Sequence, residues 1–140
     1  MVTNTGLIPK QSTVDFVGIY KLIIDGRSDD TNCHHLVGQG IAFDAKETLS
    51  KTSFPLANIK QHQLLYLEYF KAVGGDAFFL IHFKNMHKDL AFITPVTLIR
   101  QYWDGEERKS IPYDRFNKDL LIPIDDYLRY TKDERILQAI

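Results

Sequence analysis

The sequence predicts an α/β domain, a mixed central β-sheet flanked by helices. Three stretches carry that expectation. Residues 14–24, VDFVGIYKLII, are rich in β-branched and aromatic residues, as strands are. Residues 53–75 hold an amphipathic pattern closed by Gly74-Gly75, the mark of a helix end. Residues 76–84, DAFFLIHFK, form a nearly continuous apolar run, which implies a central strand buried on both faces. With 140 residues the chain suits one domain, 1–140, large enough for a single core.

In chain order, residues 1–12 form an irregular lead-in containing Gly6 and Pro9. The first strand follows, with Asp15 near its start. Residues 25–39, DGRSDDTNCHHLVGQ, are a polar connection, and the strand pattern resumes at Gly40. The two strands are expected to pair as a hairpin with a long loop. From Ile41 the period of two sends Ile41, Phe43 and Ala45 to one face and Ala42, Asp44 and Lys46 to the other. An aspartate and a lysine therefore share one side of an otherwise apolar strand. A surface ion pair on an edge strand explains this, and so does a polar site.

The helix expected over 53–75 takes Ser53 as cap and Pro55 in its first turn, with a stripe of Leu56, Ile59, Tyr66, Leu67, Phe70 and Val73. Gln63 stands where that stripe calls for an apolar residue. A buried amide needs partners, supplied either by the backbone or by a polar site beside Asp44 and Lys46. Residues 90–94 pair back on 76–84 as a second hairpin, and Pro95 starts a short helix through about Trp103. Residues 104–110, DGEERKS, are a charged loop, either simply solvated or holding a phosphate through Arg108, Lys109 and Ser110. A short helix near 113–116, an extended LLIPI and a polar terminal helix complete the chain.

Hydrophobic residues make up 44% of the chain and charged residues 25%, the balance of an ordinary globular protein. No apolar run is long enough for a membrane span, and the N-terminus lacks a signal-peptide core. The lone Cys33 excludes an intrachain disulfide and points to a reducing, cytoplasmic location. Cys33, His34 and His35 are adjacent, and no second Cys/His pair stands at zinc-finger spacing, so a solvated loop tip is expected there. The formal charge of -1 gives no global attraction to nucleic acid. Locally the balance differs, because between Lys46 and Leu67 the single acid Glu47 faces Lys46, Lys51 and Lys60.

Asp15 and Asp44 from neighbouring strands would repel each other unless a cation lies between them. Hard oxygen ligands suit Mg²⁺ or Mn²⁺, with the Ala45 carbonyl as a further ligand, and a lysine beside that metal can orient or deprotonate an attacking water. Such a constellation fits a phosphodiesterase. There is no phosphate-cradling glycine loop, no HExxH and no G-x-S-x-G, and Cys33 on a polar loop lacks an ordered base.

The segments STVDFVGIY (12–20), FDAKETLSKTSFPL (43–56) and HQ (62–63) resemble the RecU family of Holliday-junction resolvases, with looser similarity through DAFFLIHF and RKSI (108–111). The resemblance covers about residues 11–124. It implies a restriction-endonuclease-like fold and a metal-dependent, homodimeric endonuclease of a bacterial or phage-infected cytoplasm. Catalytic positions would match Asp15, Asp44 and Lys46, with Gln63 on a helix near the site. The DNA contacts expected beside it are Lys51, Ser53, Lys60, Arg108 and Lys109. The family usually has Glu where Asp44 stands. Measured against it the chain also starts late, without the N-terminal helix, first strand and junction-entering stalk, and carries extra loop at 22–39. A weak preference for junctions that depends on this loop is therefore expected, as is a dimer joined through the 76–94 hairpin and the N-terminal edge. A non-catalytic DNA-binding recombination accessory protein, and a nuclease acting on flaps or plain duplex, are the rival readings.

Overall fold

The computed structural model describes residues 14–19, 38–105 and 109–124. The main sheet is built from β1 (Phe16–Ile19), β2 (Gly40–Thr48), β4 (Asp76–Phe83), β5 (Leu90–Pro95) and β7 (Leu121–Pro123), in the spatial order β1-β2-β4-β5-β7. A separate ribbon pairs β3 (Ser53–Pro55) with β6 (Ser110–Pro112). Helix α1 (Gln61–Ala72) lies between β2 and β4 in the chain, and α2 (Val96–Trp103) follows β5 directly. Strands β2 and β4 are parallel, while the other neighbours in the main sheet are antiparallel, so the sheet is mixed as expected. A parallel pair needs a crossover of a dozen residues or more, and the stretch holding β3 and α1 supplies it.

Both sheet faces are covered, which is why β4 reads as a continuous apolar run. Ala42, Phe79, Ile81, Phe83 and Phe92 face the core shared with Leu64 and Leu67 of α1 and Ile99 of α2. Ile41, Phe43, Phe78, Leu80, Ala91 and Ile93 face a second core with Leu120 and Ile122. On that side Phe16, Phe43 and Phe78 stack across three strands at centroid spacings of 5.1 Å. Helices α1 and α2 are joined by Arg100, whose Nε and Nη2 donate to Glu68 at 2.9 and 2.5 Å, and whose Nη1 reaches Asp104 at 3.1 Å. These carboxylates hold the guanidinium even more firmly charged than usual.

One expectation needs correction: the long helix begins at Gln61, not Ser53. Residues 53–55 are extended because they pair with 110–112, and Pro55 sits in the β region at ψ 127°. The main-chain bonds Leu56 N–H to Lys109 O (2.9 Å) and Tyr113 N–H to Thr52 O (2.9 Å) close that ribbon at both ends. The expected stripe otherwise holds: Leu56, Ile59 and Leu67 are buried, Tyr66 and Phe70 pack against the core, and Gln63 and Leu64 are buried with them, while Val73 is 85% exposed. β2 lies between β1 and β4, so the edge-strand explanation of the Asp44–Lys46 pair does not apply. In the 76–94 hairpin, residues 77–81 and 91–94 are buried inside the sheet, while 84–86 and 88–89 at its turn are exposed. The helix end at Gly74 is as expected, with φ at +103°, where a side chain would be strained. The loop with Cys33, His34 and His35, the extra segment at 22–37, the remainder of the predicted first strand and the terminal helix lie outside the described residues. No helix among the described residues is long and apolar enough to cross a membrane.

Candidate metal and phosphodiester site

The site grows from the β1–β2 pairing. Phe16 lies opposite Phe43, so Asp15, just before β1, falls beside Asp44 and Ala45 of β2. The two strands grip each other's carboxylates. The Asp15 N–H donates to Asp44 Oδ1 at 3.2 Å, and the Ala45 N–H donates to Asp15 Oδ2 at 2.8 Å. Pattern reading finds the two aspartates but misses these main-chain donors, because a backbone N–H has no sequence signature.

Asp44 is fully buried on the α1 side of the sheet. Its Oδ1 also receives the Gln63 Nε2–H across a long 3.4 Å contact. Lys46, one pleat along, places Nζ 2.9 Å from Asp44 Oδ2 as an ion pair. Oδ2 itself, buried, has no partner aligned for a hydrogen bond. Burial pushes the Asp44 carboxyl above its ordinary range, and the negative charge of Asp15 adds to this. The Lys46 ammonium and the Asp15 N–H pull the other way without cancelling it.

Gln63 satisfies both readings of its sequence position. Its Oε1 accepts the Lys60 N–H at 3.0 Å, so it caps the helix it begins, while its Nε2 faces Asp44. Gln63→Leu removes both contacts. A loss of about 1 kcal/mol in thermal or urea unfolding is expected from the missing cap, together with a fall in activity. Unchanged stability would show that the cap carries no weight.

A divalent cation fits these residues. Asp44 Oδ2 is a buried oxygen whose charged neighbour is the Lys46 ammonium at 2.9 Å, Asp15 supplies a second carboxylate, and the Ala45 N–H is turned toward Asp15. In a strand the C=O of a residue faces the same side as its N–H, so the Ala45 carbonyl is directed there too. Among the described residues no group of three or more His, Cys, Asp or Glu side chains forms a fuller cage. Two carboxylates with water are the usual holding for Mg²⁺, which dehydrates reluctantly.

The residues expected to meet DNA come from two distant segments that the β3–β6 ribbon brings together. Ser53 opposes Pro112, and Pro55 opposes Ser110. Lys51 is exposed in the turn after β2, where Ser50 Oγ accepts the N–H groups of Thr52 and Ser53 at 3.2 Å each. Lys60 is exposed at the start of α1, and Lys109 is exposed beside Leu56. Arg108 lies outside the described residues.

The family model for RecU, recombination protein U, matches residues 33–132, a stretch that includes Asp44, Lys46 and Gln63 and begins after Asp15. Among curated relatives, a Holliday junction resolvase RecU of Pediococcus pentosaceus is 36% identical over 112 residues, covering 78% of this chain and 47% of the relative. That of Oceanobacillus iheyensis is 37% identical over 126 residues, covering 87% and 55%. That of Limosilactobacillus fermentum is 32% identical over 136 residues, covering 91% and 56%. The chain thus spans about half the length of the curated relatives it matches. Its α/β fold with a mixed central sheet agrees with a nuclease-like fold, and the match over most of its length shows that the chain belongs to the RecU family.

Proposed function

We propose that this chain is a metal-dependent DNA endonuclease of recombination and repair, acting on Holliday junctions or other branched DNA. The observation that carries the reading is the buried Asp44 carboxylate, paired with Lys46 and held by Gln63 and the Asp15 N–H, with the second carboxylate of Asp15 beside it. Burying one carboxylate next to another is costly even with a lysine at hand, and such perturbed groups cluster at functional sites.

Asp15, Asp44 and the Ala45 carbonyl would hold Mg²⁺ or Mn²⁺. When bound, the ion neutralises phosphate charge and makes water a better nucleophile. The chain's own groups do the rest. Gln63 and the Asp15 N–H fix the Asp44 carboxyl through Oδ1, leaving Oδ2 to face the site. Lys46 orients the attacking water, takes up its proton or stabilises charge on the phosphate oxygens. Lys51, Ser53, Lys60, Lys109 and, beyond the described residues, Arg108 guide the DNA backbone.

Lys46→Met is expected to reduce turnover by roughly 10²-fold or more with little change in affinity, the scale of lost acid–base and charge stabilisation. Equal losses in turnover and affinity would make Lys46 a binding residue only. Alanine at Lys51, Lys60 or Lys109 should weaken binding alike for all sequences and flatten the slope of log affinity against log salt by about one unit each. An unchanged slope in two of the three places the DNA path elsewhere. Symmetric cutting of a four-way junction needs two sites related by a two-fold axis, so a homodimer is part of this proposal. Exposed Val17 and Ile19 on β1, the outermost strand among the described residues, support it, and light scattering reports it. Incubation of the protein with labelled four-way junction, flap and duplex DNA in Mg²⁺, Mn²⁺ or EDTA tests the whole reading. Cleavage that survives EDTA overturns the metal, and binding without cleavage under every condition leaves an accessory DNA-binding role.

A further inference from the structure

A second concavity, of about 310 Å³, opens beside the entry to α1. Leu56, Ala57 and Ile59 form one side, Trp103 at the end of α2 forms another, and Lys109 stands on the rim. It exists because the β3–β6 ribbon draws residue 109 against residue 56, with the Leu56 N–H bonded to Lys109 O at 2.9 Å. Its described lining carries one charge, which is positive. Ile59 adjoins Lys60, whose N–H is held by Gln63, and Gln63 reaches Asp44. The groove and the phosphodiester site are thus joined through a single side chain. Asp104, next to Trp103, is engaged by Arg100 at 3.1 Å.

An apolar groove walled by a half-buried indole and edged by a lysine matches a nucleotide, with the base stacked on the aromatic ring and the phosphate at the ammonium. In a paired duplex the base is already stacked on its neighbours and closed to such a wall, whereas an unpaired base is free to enter. We propose that this groove takes one unpaired nucleobase of a branched DNA, with Trp103 as stacking platform and Lys109 at the adjacent phosphate. The inference rests on the nuclease reading and deepens it, by giving it a pocket that selects for unpaired bases.

Trp103 is the single tryptophan of the chain, so its emission reports the groove directly. The full chain is titrated, without metal, with a labelled duplex carrying one extrahelical base and with the same duplex fully paired. Emission and DNA anisotropy are read together. The bulged duplex should quench Trp103 and the paired one should not. Because Trp103 also packs against the core, the substitution is made at exposed Ala57. Ala57→Glu should erase the quench and weaken the bulged complex by about 10-fold or more, the scale of one lost base stack, with a much smaller effect on the paired duplex. Binding by anisotropy with equal emission for the two DNAs overturns this inference alone. No binding of either DNA overturns the nuclease reading with it. Emission that changes with protein concentration in the absence of DNA assigns the groove to a second copy of the chain and likewise overturns the inference.

Discussion

Asp44→Asn is expected to lower DNA cleavage by at least roughly 10²–10³-fold, the scale seen when a group that stabilises charge in the transition state is removed. The substitution keeps the shape and the Oδ1 acceptor for the Asp15 and Gln63 donors, but replaces the charged Oδ2 with an amide that cannot hold a cation. DNA binding should remain, or strengthen, because a negative charge facing phosphate is gone. Stability supplies an independent readout. Burial raises the Asp44 pKa in the folded state, so the folded protein binds this proton more tightly than the unfolded chain. The stabilisation from protonation is therefore fully present below the unfolded value, near 3.9, and is lost as pH rises through the raised folded value. Near neutral pH the wild type bears the full cost of the buried charge and Asn does not. The variant should then melt at or above the wild-type temperature at pH 7, and the difference should shrink as pH falls toward 4. A variant that still cuts DNA at the wild-type rate removes Asp44 from the chemistry.

The largest loss of stability is expected from Phe83→Ala. Phe83 is fully buried at the end of β4 and meets three aromatic rings edge to face: Tyr113 at 5.1 Å, Phe116 at 5.2 Å and Phe92 at 6.0 Å. Its carbonyl also accepts the His87 N–H at 2.9 Å in the β4–β5 turn. Deleting such a ring typically costs about 3–5 kcal/mol, a transfer term plus the cavity left behind. For a chain of this size the melting temperature should drop by roughly 10–20 °C. Part of the loss should appear in the segment after β6, because the Tyr113 hydroxyl also shares a hydrogen bond with His87 Nε2 at 2.5 Å and its ring lies under Lys118 Nζ at 4.2 Å from the centroid. A loss below about 1 kcal/mol would mean that the neighbouring rings close over the gap.

Much of this architecture was legible from local pattern. The apolar run of β4, the proline before α2 and the alternation in β2 each state their structure within a few residues. The relation of Asp44 to Lys46 follows from the strand period alone. What the pattern misreads is residues 53–60. Ser53 and Pro55 form a good helix start by local preference, yet they pair with residues 110–112, and nothing nearby in the sequence records that partner. The apolar stripe survives that error except at Val73, which caps the helix end and is exposed. Gln63 was found at the right place because an inward-facing amide stands out on an otherwise apolar face. The reciprocal grip of Asp15 and Asp44 depends on backbone groups, so it appears only with the strand register.

That register has a bearing on how the molecule assembles. Asp44 lies opposite Phe79 on the parallel β2–β4 ladder, while β4 and β5 meet across a short turn. Loop closure favours the short turn first, and the parallel pair must wait for the whole crossover to be in place. A slip of one residue in β2 would turn Asp44 into the second apolar core and bring Phe43 to the polar side. The Asp44 carboxylate thus also acts against misalignment, since only the native register gives it Gln63 and the Asp15 N–H as company. The site around Asp44 is expected to be among the last parts of the protein to form, and its completion to mark correctly threaded molecules.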